Sequence, residues 1–434
     1  MLGEHLRKRG FWVLDFLRQG KVSKHYGDIK RLIEGERTNT ELTRKNYLDE
    51  LLLHATNTTE FFETYKGFNG LSDFPVISKK CIKENYGKFL SKGFKKDDLI
   101  KVKTSGSYGT PFVFYLSKEK KSRQTAEVIY FSEWANFYVG TRHAYLRGLN
   151  TKSNLKLWMQ NEHFLFSRVI DDLWLESSRT LLKKKKIKVL IGFPTAIAAI
   201  AMYCHECGDK PEDFSIVGVI TSSEPLLDNQ RSIIESTFGC DCLSRYSTEE
   251  LGVLAHECSL AKKHHINISG YEVEVLDLDE DKPARAGETG RIVVTDLFSY
   301  AMPLIRYETG DLGVLGERCS CGLDGPILER LHGRTVQSVH NTQGVRVLPF
   351  FIEDVMEPFT DIIQYQFIQD GEKEYTLKVV CPRGAYFDET QAVSHIKYWM
   401  GNDAVVNVRI VDEIEKLESG KRPYVVNNYN RVQL

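Results

Sequence analysis

Apolar residues in this chain fall into short runs more often than into long stripes. From the amino terminus to about residue 95 the pattern is mostly helical with polar faces, interrupted by the apolar patch Phe11-Trp12-Val13-Leu14, which Asp15 ends. Leu99-Ile100-Lys101-Val102-Lys103 and Phe112-Val113-Phe114-Tyr115-Leu116 then read as strands, the second by its β-branched and aromatic content. A helical pattern from Lys118 to about Phe137 ends in the aromatic cluster Phe131, Trp134, Phe137 and Tyr138, whose composition suits a core. Strands and helices alternate after that. Ile187 to Pro194, Ser215 to Thr221 and Cys240 to Ser244 read as strands, with helices over Thr195 to Cys207 and Asp228 to Phe238 between them. Such alternation predicts a parallel sheet covered by helices, with ligands bound beyond the carboxyl ends of its strands. The loops Ser222 to Pro225 and Tyr246 to Glu250 are expected at such ends.

From Tyr271 the pattern changes. Val273 to Leu276, Arg291 to Thr295 and Pro303 to Tyr307 read as antiparallel strands joined by turns bearing glycine and proline. After Gly333-Arg334 a separate alternation of strands and helices begins, which places a domain boundary there: residues 1–334 and 335–434. A chain of 434 residues suits two or three domains, and this boundary gives two.

Charge and composition exclude some classes. The formal net charge is −1, which leaves no bulk electrostatic footprint for nucleic acid or an anionic membrane. No stretch approaches eighteen apolar residues, so no membrane span is expected. Nine cysteines without a secretion signal point to a reducing, cytoplasmic setting, where close cysteines are read as metal ligands before disulfides.

The candidate chemistry starts at Thr104-Ser105-Gly106-Ser107-Tyr108-Gly109-Thr110-Pro111, between the first two strands. Its glycines let backbone N–H groups and hydroxyls turn toward an anion, and it lacks the lysine of a Walker loop. Tyr246-Ser247-Thr248-Glu249-Glu250 offers adjacent carboxylates beyond a strand, suited to magnesium alongside phosphates. Tyr307-Glu308-Thr309-Gly310-Asp311 puts a carboxylate on a glycine turn, able to accept from vicinal hydroxyls. Glu418-Ser419-Gly420-Lys421-Arg422 puts a lysine on a flexible loop.

In that order, and with Ser223-Glu224-Pro225 and Gly287-Glu288-Thr289-Gly290 between them, these motifs resemble the adenylate-forming acyl ligases. The likeness is to their short branch of phenylacetate–CoA ligase and related capsule-biosynthesis proteins. The resemblance implies an α/β fold with a large N-terminal adenylation domain of helix-covered sheets and a small mobile α+β C-terminal domain. It implies that Thr104, Ser105, Gly106, Ser107, Gly109 and Thr110 hold pyrophosphate. Ser223, Glu224, Pro225, Tyr246 and Ser247 would contact nucleotide, Asp311 the ribose, and Glu250, with Glu249 as its neighbour alternative, Mg²⁺. Arg334 would mark the hinge, and Lys421 would reach the α-phosphate. ATP and a small carboxylic acid are the implied substrates, with CoA as acceptor. An amine or amino sugar is the alternative acceptor, and a non-catalytic nucleotide-binding protein the reading from another class. No nucleic acid or membrane partner is expected; a homodimer is compatible.

A second constellation is metallic. Cys319-Ser320-Cys321 and the pair Cys258 and His265 would make a tetrahedral Cys₃His zinc site, with His264 as an alternative ligand. By the resemblance such a site is structural. Cys204 and Cys207 lie in an apolar helical pattern and read as buried free thiols.

Overall fold

A computed structural model describes residues 2–103, 113–147, 152–166, 170–334, 338–349, 351–359, 362–381, 385–415 and 422–429. The chain opens with helices α1 (Leu2–Leu17), α2 (Lys21–Glu34) and α3 (Arg37–Thr58), then a short α4 (Lys79–Glu84). Strands β1 (Ile100–Lys103) and β2 (Val113–Leu116) pair antiparallel, Ile100 opposite Leu116. The Gly/Ser loop between them lies outside the described residues. Ser117, whose hydroxyl accepts from the Lys120 amide, caps α5 (Lys118–Glu133).

One eleven-stranded sheet forms the frame. In chain order it takes β3 (His143–Arg147), β4 (Glu162–Phe166), β5 (Val189–Gly192), β6 (Gly218–Ser222), β7 (Cys242–Thr248) and β8 (Gly252–Glu257). It continues with β9 (His264–Ile266), β10 (Tyr271–Leu276), β11 (Gly290–Asp296), β12 (Tyr307–Gly316) and β13 (Ile327–Arg334). In space the order is β10-β11-β12-β13-β9-β8-β7-β6-β5-β3-β4. Strands β3 to β7 are parallel, and the remainder antiparallel from the β7–β8 pair onward. The apolar runs of β5 and β6 are buried along their whole length, as parallel strands covered on both faces must be.

Helices α6 (Asn154–Gln160), α7 (Asp172–Lys184), α8 (Pro194–Glu206) and α9 (Asp228–Phe238) connect the parallel strands. Leu182, Ile197, Ile200 and Ile234 from the last three of these helices form a core with Leu190 and Val219 of the sheet. A larger core gathers Ile29, Leu51, Phe131, Tyr271 and Tyr307, from α2, α3, α5 and the antiparallel strands. The C-terminal part has its own core around Phe351, Phe367 and Leu377. It comprises β14 (Val339–His340), β15 (Arg346–Val347), α10 (Phe351–Met356), β16 (Gln364–Gln369), β17 (Glu374–Val380), α11 (Glu389–Met400), β18 (Val405–Ile410) and β19 (Val425–Asn427). Its larger sheet runs β18-β17-β16-β19.

Several expectations change. The antiparallel strands after Tyr271 continue the same sheet as the parallel ones. Strand β7 extends to Thr248, so Tyr246 and Ser247 are strand residues and not part of the loop beyond. Pro303 to Tyr307 is not a strand: Arg306 has φ of +48°, which breaks an extended run, and the strand begins at Tyr307. Strands β3, β4, β8 and β9 carry no alternation strong enough to announce them. Cys204 is buried, whereas Cys207 is exposed at the end of α8. Helix α1 reverses the expected polarity, turning apolar side chains to solvent.

The seam between α5 and the antiparallel strands is ionic. Lys120, fully buried, donates from Nζ to Asp296 Oδ1 at 2.7 Å and to the Tyr271 hydroxyl at 3.1 Å. Arg123 donates to Asp28 at 2.6 Å and to the Ser269 carbonyl at 2.5 Å, and burial pushes the Glu127 carboxyl up to about 7. Gly252, at φ +119°, lets these groups approach: a Cβ there would stand 2.6 Å from Glu127 Oε2. Lys120→Ala leaves Asp296 buried without its cation and is expected to cost about 3–5 kcal/mol. Chemical denaturation measures this, and a loss below about 1 kcal/mol would contradict the ionic account of the seam.

Candidate functional site

A cleft of about 2000 Å³ runs along the carboxyl ends of the parallel strands, from α1 at one end to α10 at the other. Three strand ends shape its wall. Strand β5 ends at Gly192, where a Cβ would sit 2.6 Å from that of Leu146, so only glycine lets β3 and β5 approach there. Strand β6 ends at Ser222, and Ser223 follows with φ of +75°, a strained conformation for a residue with a side chain. Strand β7 brings Tyr246 and Ser247, with Ser247 Oγ 3.5 Å from Ser222 Oγ. Ser223, Glu224, Pro225, Tyr246 and Ser247, separated in sequence, thus line one wall.

Asp311 reaches the same wall through an irregularity in the sheet. Glu308 lies opposite Val293 and Leu312 opposite Arg291, so Thr309, Gly310 and Asp311 together face the single residue Ile292. Such a bulge re-aims side chains. Gly310, at φ +83°, supplies the left-handed residue it needs. Thr309 Oγ1 donates to the Ile292 carbonyl at 3.1 Å and accepts from the Asp311 amide at 3.1 Å. The Tyr246 hydroxyl donates to Asp311 Oδ2 at 2.7 Å. A carboxylate oriented by a phenol on a cleft wall can accept from a ligand's hydroxyls.

Glu250, just past β7, is buried in the wall. The Tyr307 hydroxyl donates to its Oε1 at 2.8 Å, and Lys79 Nζ from α4 stands 3.2 Å from the same oxygen. Burial pushes the Glu250 carboxyl up, but Lys79, a backbone amide and Tyr307 outweigh it and hold the group below the usual carboxylate range. It is therefore an anion facing the cleft. Glu249 is exposed. Lys79 was missed by sequence reasoning, because nothing in Ser-Lys-Lys-Cys near residue 79 distinguishes it from a surface helix.

Residues Thr104, Ser105, Gly106, Ser107, Gly109, Thr110 and Lys421 lie outside the described residues. Arg334 is described in its backbone, which pairs with Asp311 across β12 and β13. Arg422, next to Lys421, lines the cleft and donates its amide to Glu224 Oε1 at 3.1 Å, while Thr195 Oγ1 donates to Glu224 Oε2 at 2.7 Å. Gln230 of α9 donates to the Ile363 carbonyl at 3.2 Å, a second bond between the smaller part and the large one.

Cys258, His265, Cys319 and Cys321 gather at the turn between β12 and β13, their donor atoms all within 4.8 Å of one another. Cys258 Sγ and Cys319 Sγ are 3.7 Å apart, against an edge of about 3.8 Å for two sulfurs bound tetrahedrally at about 2.3 Å. His265 Nε2 is 3.2 Å from Cys321 Sγ. Burial, with His264 beside it, lowers His265 to about 4, so the imidazole is neutral, as a ligand must be. Backbone amides and the neighbouring thiols outweigh burial and hold the Cys258 thiol below its usual range. Alternation along β9 turns His264 away, toward Glu257 and the cleft. The four donors make a candidate metal site whose closed set leaves no open position.

Comparisons with known proteins agree with this architecture. Residues 339–428 match the model of the CapK C-terminal domain. Over 95% of its length the chain is 24% identical to Protein CapK of Staphylococcus aureus, covering 94% of that protein. It is 29% identical to a phenylacetate-coenzyme A ligase of Thermus thermophilus over 70% of each chain. Its fold is similar to 2-hydroxyisobutyryl-CoA ligase in the postadenylation state, with a TM-score of 0.73 at 15% identity and 92% of each chain covered. ATP-bound MatB from Rhodopseudomonas palustris gives a TM-score of 0.54 at 18% identity, over 76% of this chain and 68% of that one. The resemblance carried by the ordered motifs is borne out at the level of superfamily and fold.

Removing Lys79 tests the buried pair. A carboxyl held below its unfolded pKa contributes stability that is present above that value, about 4.3, and is lost as the pH falls through the folded value. Lys79→Met is expected to destabilise the protein at pH 7 by about 1–3 kcal/mol, with the difference shrinking below about pH 4. Unfolding free energies of the two proteins across that range check it; a difference independent of pH would mean that Lys79 acts by packing alone.

Proposed function

We propose that this chain, with the relatives and the fold of the adenylate-forming acyl ligases, activates a carboxylic acid with ATP and passes the acyl group to coenzyme A. The observation that carries the reading is the Tyr246–Asp311 pair at 2.7 Å on the wall of a cleft at the strand ends. An oriented, acceptor-only carboxylate there suits the vicinal hydroxyls of a ribose.

In the first step the acid's carboxylate oxygen attacks the α-phosphorus of ATP, and the bond to the bridging oxygen breaks to release pyrophosphate. In the second the thiol sulfur attacks the acyl carbonyl carbon. AMP leaves with the bonding pair, and the thiol proton passes to solvent. Positioning and charge stabilisation are what the protein must supply. Asp311 holds the ribose, and Ser223, Glu224, Pro225, Tyr246 and Ser247 line the nucleotide. Thr104, Ser105, Gly106, Ser107, Gly109 and Thr110 are assigned the leaving pyrophosphate, which their hydroxyls and backbone amides suit. Glu250, ionised and held through one oxygen by Tyr307 and Lys79, is the residue assigned to Mg²⁺, which would neutralise phosphate charge. Lys421 meets the charge developing between carboxylate and α-phosphate. Residues 335–434 form a mobile domain hinged near Arg334, which brings Lys421 to the cleft for the first step.

Amide formation is the second reading, with an amine or amino sugar in place of the thiol. It is favoured by the likeness to Protein CapK over 95% of the chain and by the match of the C-terminal residues. The closed Cys₃His set is assigned zinc with a structural role, stapling the β12–β13 turn to β8 and β9.

Pyrophosphate exchange over a panel of carboxylic acids tests adenylation, and supplying CoA or amines to the competent acid separates the two acceptors. Lys421→Ala is expected to slow exchange by about 10²–10³ and to leave transfer from supplied acyl-adenylate nearly unchanged. Equal losses in both half-reactions would contradict a lysine used in one conformation. Elemental analysis of protein purified without added metal is expected to give one zinc per chain, lost in a Cys319→Ser/Cys321→Ser variant that unfolds more easily. Zinc retained by that variant would refute the assignment.

A further inference from the structure

Helix α1 is folded with its polarity inverted. Its two carboxylates face the protein. Asp15 is buried and caps α2, accepting from the Val22 and Ser23 amides at 3.0 and 2.9 Å. Glu4 accepts from the Arg142 amide at 3.1 Å and from Lys188 Nζ at 2.6 Å. Trp12 turns inward too, edge-on to Tyr26 at 5.9 Å. The opposite face, with Leu6, Val13 and Leu17 at i, i+7 and i+11 and Phe16 beside them, is 60, 58, 72 and 78% exposed. An exterior helix normally presents the reverse.

The patch does not end with α1. Arg7 donates from Nε to the Trp158 carbonyl at 3.1 Å, and its guanidinium lies 5.1 Å from the Trp158 ring. Trp158 and Leu155 of α6 are 67 and 66% exposed, so a second exposed apolar segment lies against α1. Its charges have one sign. Arg9 lies within the stripe, one turn before Val13. Lys8, Arg18 and Lys156 are exposed at its margins, Lys8 with its ammonium 5.5 Å from the Tyr138 ring and Arg18 and Lys156 along the cleft; neither helix exposes an acidic group there, since Glu4 and Asp15 are engaged within.

Against the expectation of no membrane partner, which rested on the net charge of the whole chain, we propose that α1 and α6 dock this protein on an anionic lipid surface, with Leu6, Val13, Phe16 and Leu17 entering the interface and the local cations Lys8, Arg9, Arg18 and Lys156 meeting headgroups. Apolar side chains interleaved with exclusively basic ones are the composition of a helix that lies in a membrane interface. A second copy of the chain matches the surface poorly, because a two-fold contact is self-complementary and would set these cations against one another. Among the described residues no helix is long and apolar enough to cross a membrane, and the proposed attachment uses helix faces alone. The cleft lies directly behind: Phe11 and Leu14 of α1 and Trp158 of α6 line its far end, which would therefore open at the lipid surface. The four apolar residues assigned to the interface do not line the cleft.

Co-sedimentation of the full chain with vesicles tests this. The protein is expected to bind phosphatidylglycerol/phosphatidylcholine vesicles, to bind phosphatidylcholine alone several-fold less, and to be released by salt. Phe16→Ser/Leu17→Ser should weaken binding about tenfold with the thermal midpoint unchanged, since both side chains are exposed. Arg9→Glu should weaken binding to the anionic vesicles only, and it remains a test if the double variant folds poorly. Absence of binding to anionic vesicles, or equal binding by Arg9→Glu and the parent, overturns the proposal. So does a solution dimer that Phe16→Ser/Leu17→Ser converts to monomer while no vesicle is bound, which would give the face to a second copy. None of these readouts depends on ligase activity.

Discussion

Three residues of one strand, Thr309, Gly310 and Asp311, must be accommodated opposite Ile292, and the wall of the cleft depends on how that is done. The surplus is absorbed by a left-handed Gly310 and by Thr309, whose hydroxyl bonds the Ile292 carbonyl and the Asp311 amide. The carboxylate is thereby carried to the side where Tyr246, from the far half of the sheet, can donate to it. Between Tyr246 and Asp311 lie the strands at which the sheet changes from parallel to antiparallel. A bond across that interval holds only if the two halves are rigidly joined.

One device holds the antiparallel half together and another reaches across its boundary. Within the antiparallel half, Cys258, His265, Cys319 and Cys321 meet where the β12–β13 turn lies against β8 and β9. At the centre, Lys120 and Arg123 of α5 reach into the antiparallel half, meeting Asp296 and the Ser269 carbonyl, while Gln124 donates to the Leu251 carbonyl at 3.0 Å. Buried ions are weak sources of net stability but costly to misplace, so they fix one arrangement of helix on sheet. Glu250 is held on the same logic, its charge kept by Lys79 from an element well separated in sequence.

The interior is therefore unusually polar where the surface of α1 is unusually apolar. Asp15 and Glu4 do work inside that would ordinarily be done by leucines, and the leucines stand outside. Such an exchange is stable in water only because single exposed apolar side chains are tolerated. Several of them on one helix face go beyond that tolerance, which is the ground for the proposed docking surface.

What the sequence by itself determined is local and ordered. Buried runs such as Val189–Gly192 and Gly218–Ser222 give parallel strands, since period and composition act over a few residues. The succession of motifs pointed to the relatives and the fold to which the chain proves similar, and the spacing of Cys258, His265, Cys319 and Cys321 anticipated a set of donors that the fold does gather. Contacts between distant elements lay beyond it. Lys79 against Glu250 joins residues far apart along the chain, and neither Ser-Lys-Lys nor the Tyr246 motif records the other. Register was equally hidden: Tyr307 to Asp311 looks like a strand ending in a turn, and becomes a bulge only because β11 and β13 are hydrogen-bonded on either side. For α1, the pattern showed a helix with an apolar patch ended by Asp15 but not which face would be turned inward. Only the tertiary structure decided that, because the amides of Val22, Ser23 and Arg142 and the ammonium of Lys188 are partners that exist once the helix is docked.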